Sequence, residues 1–131
     1  MNDYTAFYAV LQKPFFAPPE WFFGVVWGII YPLIILAFIF VFVRFMRAQM
    51  PPFVLGIFLI NLAVNLAFTP ILFGLESIQL ATLDILVVWG TLVFLELHLY
   101  RYLRVAFWLL LPYLLWGTFA TILQITIAFL N

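Results

Sequence analysis

Apolar residues run almost unbroken through this chain, and the few charged ones divide it. Residues 21–43, 48–75 and 105–131 contain no Asp, Glu, Lys or Arg. Residues 77–100 carry three ionisable groups, Asp84, Glu96 and His98. A helix needs about 20 apolar residues to cross the hydrocarbon layer. The pattern therefore predicts a single domain over residues 1–131, with four spans near 19–44, 52–74, 77–100 and 104–130. Lipid offers no partner to backbone N–H and C=O groups, and these runs are far too long for barrel strands, so each span is expected to be α-helical. Pro51-Pro52 is placed to open the second span, where a missing N–H costs little. Gly74 is placed to close it. Pro32, Pro70 and Pro112 fall inside or near the ends of spans and are expected to kink or unwind them.

A shorter pattern precedes the first span. Tyr4, Phe7, Tyr8 and Leu11 fall at i, i+3, i+4 and i+7, one helical face. The segment is too short to span, so a short N-terminal helix lying on the membrane surface is expected, with an interface-wetted tail as the alternative. Asp3 comes first and Lys13 late, which does not fit a signal peptide.

Charge then sets the orientation. Arg44 and Arg47 follow the first span, and Arg101 and Arg104 separate the third from the fourth. Four spans put both pairs on one side, read as cytoplasmic, with both termini outside. The prokaryotic cytoplasmic membrane is the expected location. Composition agrees with an all-α integral membrane protein: 69% of residues are apolar and 8% charged, against roughly 45–50% and 25% in soluble domains. A net charge of zero leaves no basic patch for nucleic acid. The absence of cysteine excludes disulfides and thiolate chemistry. One histidine and five acids give no basis for a structural metal site, and no required cofactor is expected.

Polar and aromatic residues recur together at helical spacing. In the first span Trp21, Gly24, Gly28 and Tyr31 share a face, with Trp27 beside it. Trp21 reads as an interfacial anchor. Gly24 and Gly28 read as a site of close helix approach. Asn61 and Asn65 share a face of the second span, followed by Phe68. Amides in lipid face protein or a cavity, and hydrogen bonding between helices explains this pair as well as a pocket does. Asp84 in the third span is level with Phe68 and Asn65 by antiparallel counting, and Asn65 or a backbone N–H freed by proline is its expected partner. Glu96 and His98 lie near the arginine end, where both are expected to do no more than snorkel or pair with Arg101. In the fourth span Tyr113, Trp116 or Gly117, Ala120 and Gln124 form a face. Such faces on three of four helices suit a flat hydrophobic ligand, although core packing accounts for any one of them. Leu97, Tyr100 and Arg104 fit a loose sterol-contact pattern. No Ser-His-Asp set, phosphate-cradling glycine loop or HExxH motif is present.

The ordered motifs resemble one family. "FYAVLQKPFFAPPEWFFGVVWGIIY" resembles the "WYxxLxKPxxxPPxWxFGxVWxxLY" signature of the tryptophan-rich sensory protein, or translocator protein, family (TspO/MBR). "LINLAVNLAFTPILF" and "WLLLPYLLWGTFATILQITIAFLN" are similar to its "LxLNxxWSxLFF" and "WLLxPYLxWxxFAxxLNxxIWxLN" blocks. The resemblance implies a membrane receptor or carrier that binds porphyrins or haem-related tetrapyrroles, and in some members sterols, for sensing, sequestration or transport. It also implies that Trp27, Tyr31, Asn65, Phe68, Trp116 and Ala120 line the pocket and that Tyr8 belongs to its cover. Asp84 and Gln124 join this candidate set from the pattern of the residues themselves. Phe7 and Phe68 stand where the family commonly has Trp, Gln124 where it has Asn, and Ala128 where it has Trp. The family has five spanning helices, the first preceding the signature, and this chain begins near the signature. The expected architecture is therefore a four-helix bundle whose uncovered flank is met by a second copy in a two-fold dimer, membrane lipid being a poor substitute beside Asn65, Asp84 and Gln124. Two other functions stand beside binding. One is light- or oxygen-dependent porphyrin degradation, for which the resemblance would assign Trp27 and Trp116. The other is a small proton-coupled exporter, which needs a central membrane acid on the substrate path.

Overall fold

The computed structural model describes residues 11 and 14–131, the side chains of Glu20 and Phe73 excepted. The expected N-terminal surface helix and Tyr8 lie outside the described residues. Four long helices follow one another: α1 (Glu20–Met46), α2 (Pro52–Thr69), α3 (Ile78–Tyr102) and α4 (Arg104–Leu130). Each is long and apolar enough to cross a membrane, and no strand occurs among the described residues. The chain is an all-α integral membrane protein.

Local chemistry sets the helix ends. α1 begins directly after Pro18-Pro19, whose fixed φ suits a helix start. It ends in a Schellman turn, in which Gln49 N–H donates to Arg44 C=O (2.8 Å) and Ala48 N–H donates to Phe45 C=O (3.0 Å). Ala48 closes that turn with φ of 56°, in the left-handed region. Pro52 opens α2. At its far end Pro70 offers no N–H, and the chain continues as one π-helical turn over Pro70–Gly74. Leu75 N–H donates to Pro70 C=O at 3.0 Å. The Ser77 hydroxyl then caps α3 by accepting from Leu80 N–H at 3.2 Å. Of the three prolines expected to unwind helices, only Pro70 coincides with a change of helix type. Pro32 and Pro112 lie inside helices assigned without a break.

α4 packs along both α1 and α3, and α3 packs along α2. The buried seams place small residues where backbones approach: Ala37 on α1, Ala81 on α3 and Ala106 on α4 are fully enclosed. Ile30, Ile34, Ala37 and Val41 form the inner stripe of α1, and Val88, Leu92, Leu95 and Leu99 that of α3. α1 and α2 touch far less. Their contact includes an edge-on pair, Phe38 and Phe58, with centroids 5.3 Å apart. Toward the end opposite the arginines these two helices leave a wedge, and the site lies there.

Gly24 and Gly28 do not set helix spacing. An added Cβ at either would meet nothing within 4 Å. Both are exposed, and Gly24 borders the wedge between the helices.

Candidate ligand pocket

A cavity of about 590 Å³ fills the wedge, within the size range of small-molecule sites. α1 supplies Trp21, Phe23, Gly24, Trp27 and Tyr31, and α2 supplies Asn65, Phe68 and Thr69. Leu72 comes from the π-helical turn, Ile85 and Val88 from α3, and the run from Tyr113 to Ile127 of α4 completes the wall. The helical period explains the choice: Trp27 and Tyr31, or Tyr113, Gly117, Ala120 and Gln124, stand three or four residues apart and so share a face.

The aromatic walls are held by one another. Trp27 stacks on Tyr31 (5.0 Å between centroids, 28° between planes) and meets Tyr113 edge-on at 6.2 Å. Trp116 packs against Phe22, Phe23 and Phe119 at 5.9, 5.7 and 5.3 Å. Its indole N–H is buried with no hydrogen-bond partner.

The floor is a hydrogen-bonded chain that ties all four helices. The Tyr31 hydroxyl donates to Asn65 Oδ1 (2.9 Å), and Asn65 Nδ2 donates to the Tyr113 hydroxyl (2.8 Å). That hydroxyl donates to Asn61 Oδ1 (2.8 Å). Asn61 Nδ2 donates to Val88 C=O and Thr91 Oγ1, both at 3.0 Å. Both sequence readings of the asparagine pair therefore hold at different positions. Asn61 is wholly buried and joins helices, while Asn65 both joins helices and lines the cavity. On the wall Gln124 Nε2 donates to Thr82 Oγ1 at 3.1 Å, pinning α4 to α3.

Of the site residues singled out from sequence, Trp27, Tyr31, Asn65, Phe68, Trp116, Ala120 and Gln124 all stand on the cavity wall. Asp84 does not. α3 reaches the cavity through Ile85 and Val88. Asp84 shares a stripe of α3 with Thr91, seven residues on, and Thr91 is bound to Asn61 of α2. On that face Val88 of the cavity wall lies between Asp84 and Ile85, so Asp84 stands at the edge of the wall rather than on it. Asn65 is engaged by the two tyrosines, and Asp84 Oδ2 is buried without a hydrogen-bond partner. Glu96 also departs from expectation. It neither snorkels nor pairs with Arg101: it is 2% exposed, with no hydrogen-bond partner at either carboxylate oxygen. It lies four residues after Leu92 and three before Leu99, on the buried side of α3. Tyr113, the hub of the floor, stood in the α4 face but was not separated from core aromatics by its spacing. Trp21 is 67% exposed, as an anchor would be, yet it also borders the cavity.

Four helices long and apolar enough to span a membrane surround an aromatic cavity with an amide floor. The model of the TspO/MBR family matches residues 1–130, and the chain belongs to that family. It is 34% identical over 124 residues to the tryptophan-rich protein TspO of Bacillus cereus, covering 95% of this chain and 80% of that protein. It is 36% identical over 120 residues to the human translocator protein, covering 89% and 70%. It is 30% identical over 117 residues to the tryptophan-rich sensory protein of Cereibacter sphaeroides, covering 87% and 70%.

Proposed function

We propose that this protein binds porphyrin-type tetrapyrroles in the cavity between α1, α2 and α4, for sensing, sequestration or transport. The observation that carries the reading is the cavity itself: about 590 Å³, walled by Trp27, Tyr31, Phe68, Tyr113 and Trp116. Flat rings bury their faces against such side chains, by stacked or edge-on contact. The mutual contacts of Trp27 with Tyr31 and of Trp116 with three phenylalanines hold these surfaces in place before a ligand arrives, which lowers the cost of ordering on binding. The mouth lies at the end away from the arginines and, in the proposed topology, faces outside.

Titrating purified protein with protoporphyrin and following tryptophan quenching tests the reading. Saturable quenching with a micromolar-class Kd, about −8 kcal/mol, is the expected result. Quenching no greater than in empty micelles contradicts it.

A further inference from the structure

The corner where α3 turns into α4 carries a clamped cation. The Arg104 guanidinium lies over the Tyr100 ring, its carbon 4.5 Å from the centroid. Its Nε–H donates to Tyr100 C=O at 3.2 Å. The two contacts hold the fork in one place, and its terminal nitrogens keep four N–H groups for an anion. Arg101 stands beside it in the last turn of α3, and both arginines are exposed. Among the described acids none balances them. Glu96 is enclosed in the core, and Asp84 and Glu76 lie toward the other end of the bundle.

This corner stands at headgroup level. α3 has 25 residues, about 37 Å of helix at 1.5 Å per residue, against about 30 Å of hydrocarbon. Deeper along α4 the surface turns apolar. Tyr100 meets Phe107 edge-on at 5.1 Å, and Phe107 meets Trp108 at 5.2 Å. Trp108 is mostly exposed and, four residues on from Arg104, lies one turn deeper on the same face. A fixed cationic fork above an exposed aromatic surface matches a molecule with an anionic head and an apolar tail. A sterol, which the pattern of Leu97, Tyr100 and Arg104 would suggest, brings one neutral hydroxyl and leaves both cations without a counter-charge.

We propose that the α3–α4 corner binds one anionic phospholipid, its phosphate held by Arg101 and Arg104 and its chains lying along Phe107 and Trp108. None of these residues lines the aromatic cavity, so the site is a second one, filled from the leaflet on the arginine side.

Competition between lipids tests it. Purified protein in mild detergent is offered equal amounts of phosphatidylglycerol and phosphatidylcholine, and the lipid it retains is read by native mass spectrometry. One phosphatidylglycerol per chain, retained roughly 10-fold over phosphatidylcholine, is the expected result. The double variant Arg101→Gln, Arg104→Gln is expected to lose that preference. Arg44→Gln, Arg47→Gln, which removes the same charge at the end of α1, is expected to keep it. Equal retention of the two lipids by the wild type overturns the proposal without any variant. Equal loss in both double variants overturns it as well, because the attraction is then that of overall charge. Displacement of phosphatidylglycerol by millimolar glycerol phosphate assigns the fork to a soluble anion, and displacement by cholesterol assigns the corner to a sterol. Either result contradicts a phospholipid site.

Discussion

Glu96 shows at the scale of one residue how little the sequence says about direction. Its place near Arg101 suggested a pair, but five residues of helix turn the two about 140° apart. Glu96 faces the bundle interior, and Arg101 is exposed. A buried polar group without a partner costs about 1–3 kcal/mol, and apolar replacement of buried ionic groups is often stabilising. We therefore expect Glu96→Leu to raise the thermal unfolding midpoint in detergent, by a free energy of about 1–3 kcal/mol. A lowered midpoint would mean that the carboxyl has a partner in the membrane. Asp84 illustrates the same limit. Counting residues from the turn gave its height, whereas the side it faces depended on how α3 rotates against α2, and Thr91 reveals that rotation through its bond to Asn61. Tyr113 was hidden for another reason: an aromatic residue on a helix face looks alike in a packed core and in a hydrogen-bonded hub. What distinguishes it is the approach of Asn61 and Asn65 from another helix.

Among the elements, the helices were readable because their physics is local. A run of apolar residues longer than the bilayer, with arginines or prolines at its ends, leaves little choice. Helix turns were less readable. The turn after α1 has the full bonding of a Schellman motif, yet its left-handed position holds Ala48 rather than glycine. A Cβ in that conformation is strained by about 1–2 kcal/mol, part of which glycine's greater flexibility offsets. Ala48→Gly is accordingly expected to stabilise the protein by about 0.5–1 kcal/mol, seen as slower heat inactivation or a higher unfolding midpoint. Destabilisation would contradict the assigned turn. The π-helical turn at Pro70 was foreseen only as some form of unwinding, because proline dictates the missing N–H but not how the chain restores its bonds. The glycines of α1 gave the opposite lesson. Their spacing matches a helix-packing motif, yet a Cβ added at either would touch no neighbouring helix, and Gly24 borders the cavity.

At the scale of the whole molecule, the arginines and the cavity lie at opposite ends, so topology decides which compartment the cavity mouth faces. Both arginine pairs sharing one side favours that side as cytoplasmic. Single cysteines placed at positions 2, 48, 76 and 103 are expected to label from outside, inside, outside and inside respectively. Outside labelling at 48 would invert the orientation and turn the cavity mouth inward. Most of the candidate wall was legible beforehand, since the aromatics and amides that line it recur at helical spacing and match the family's blocks. Its enclosure was not. The wedge exists because α1 leans on α4 and leaves α2, and no pattern within one helix reports which neighbour it prefers.

The central claim is that Trp27 and Trp116 form a ligand wall while Trp21 only borders its mouth. The most direct measurement is porphyrin affinity in Trp27→Ala, Trp116→Ala and Trp21→Ala, each with its thermal stability. Losing a flat buried surface is expected to weaken binding by about 1–3 kcal/mol at Trp27 and at Trp116. The mostly exposed Trp21 is expected to cost less. Equal losses at all three positions, or full affinity without Trp27 and Trp116, would contradict the assignment of this cavity as the binding site.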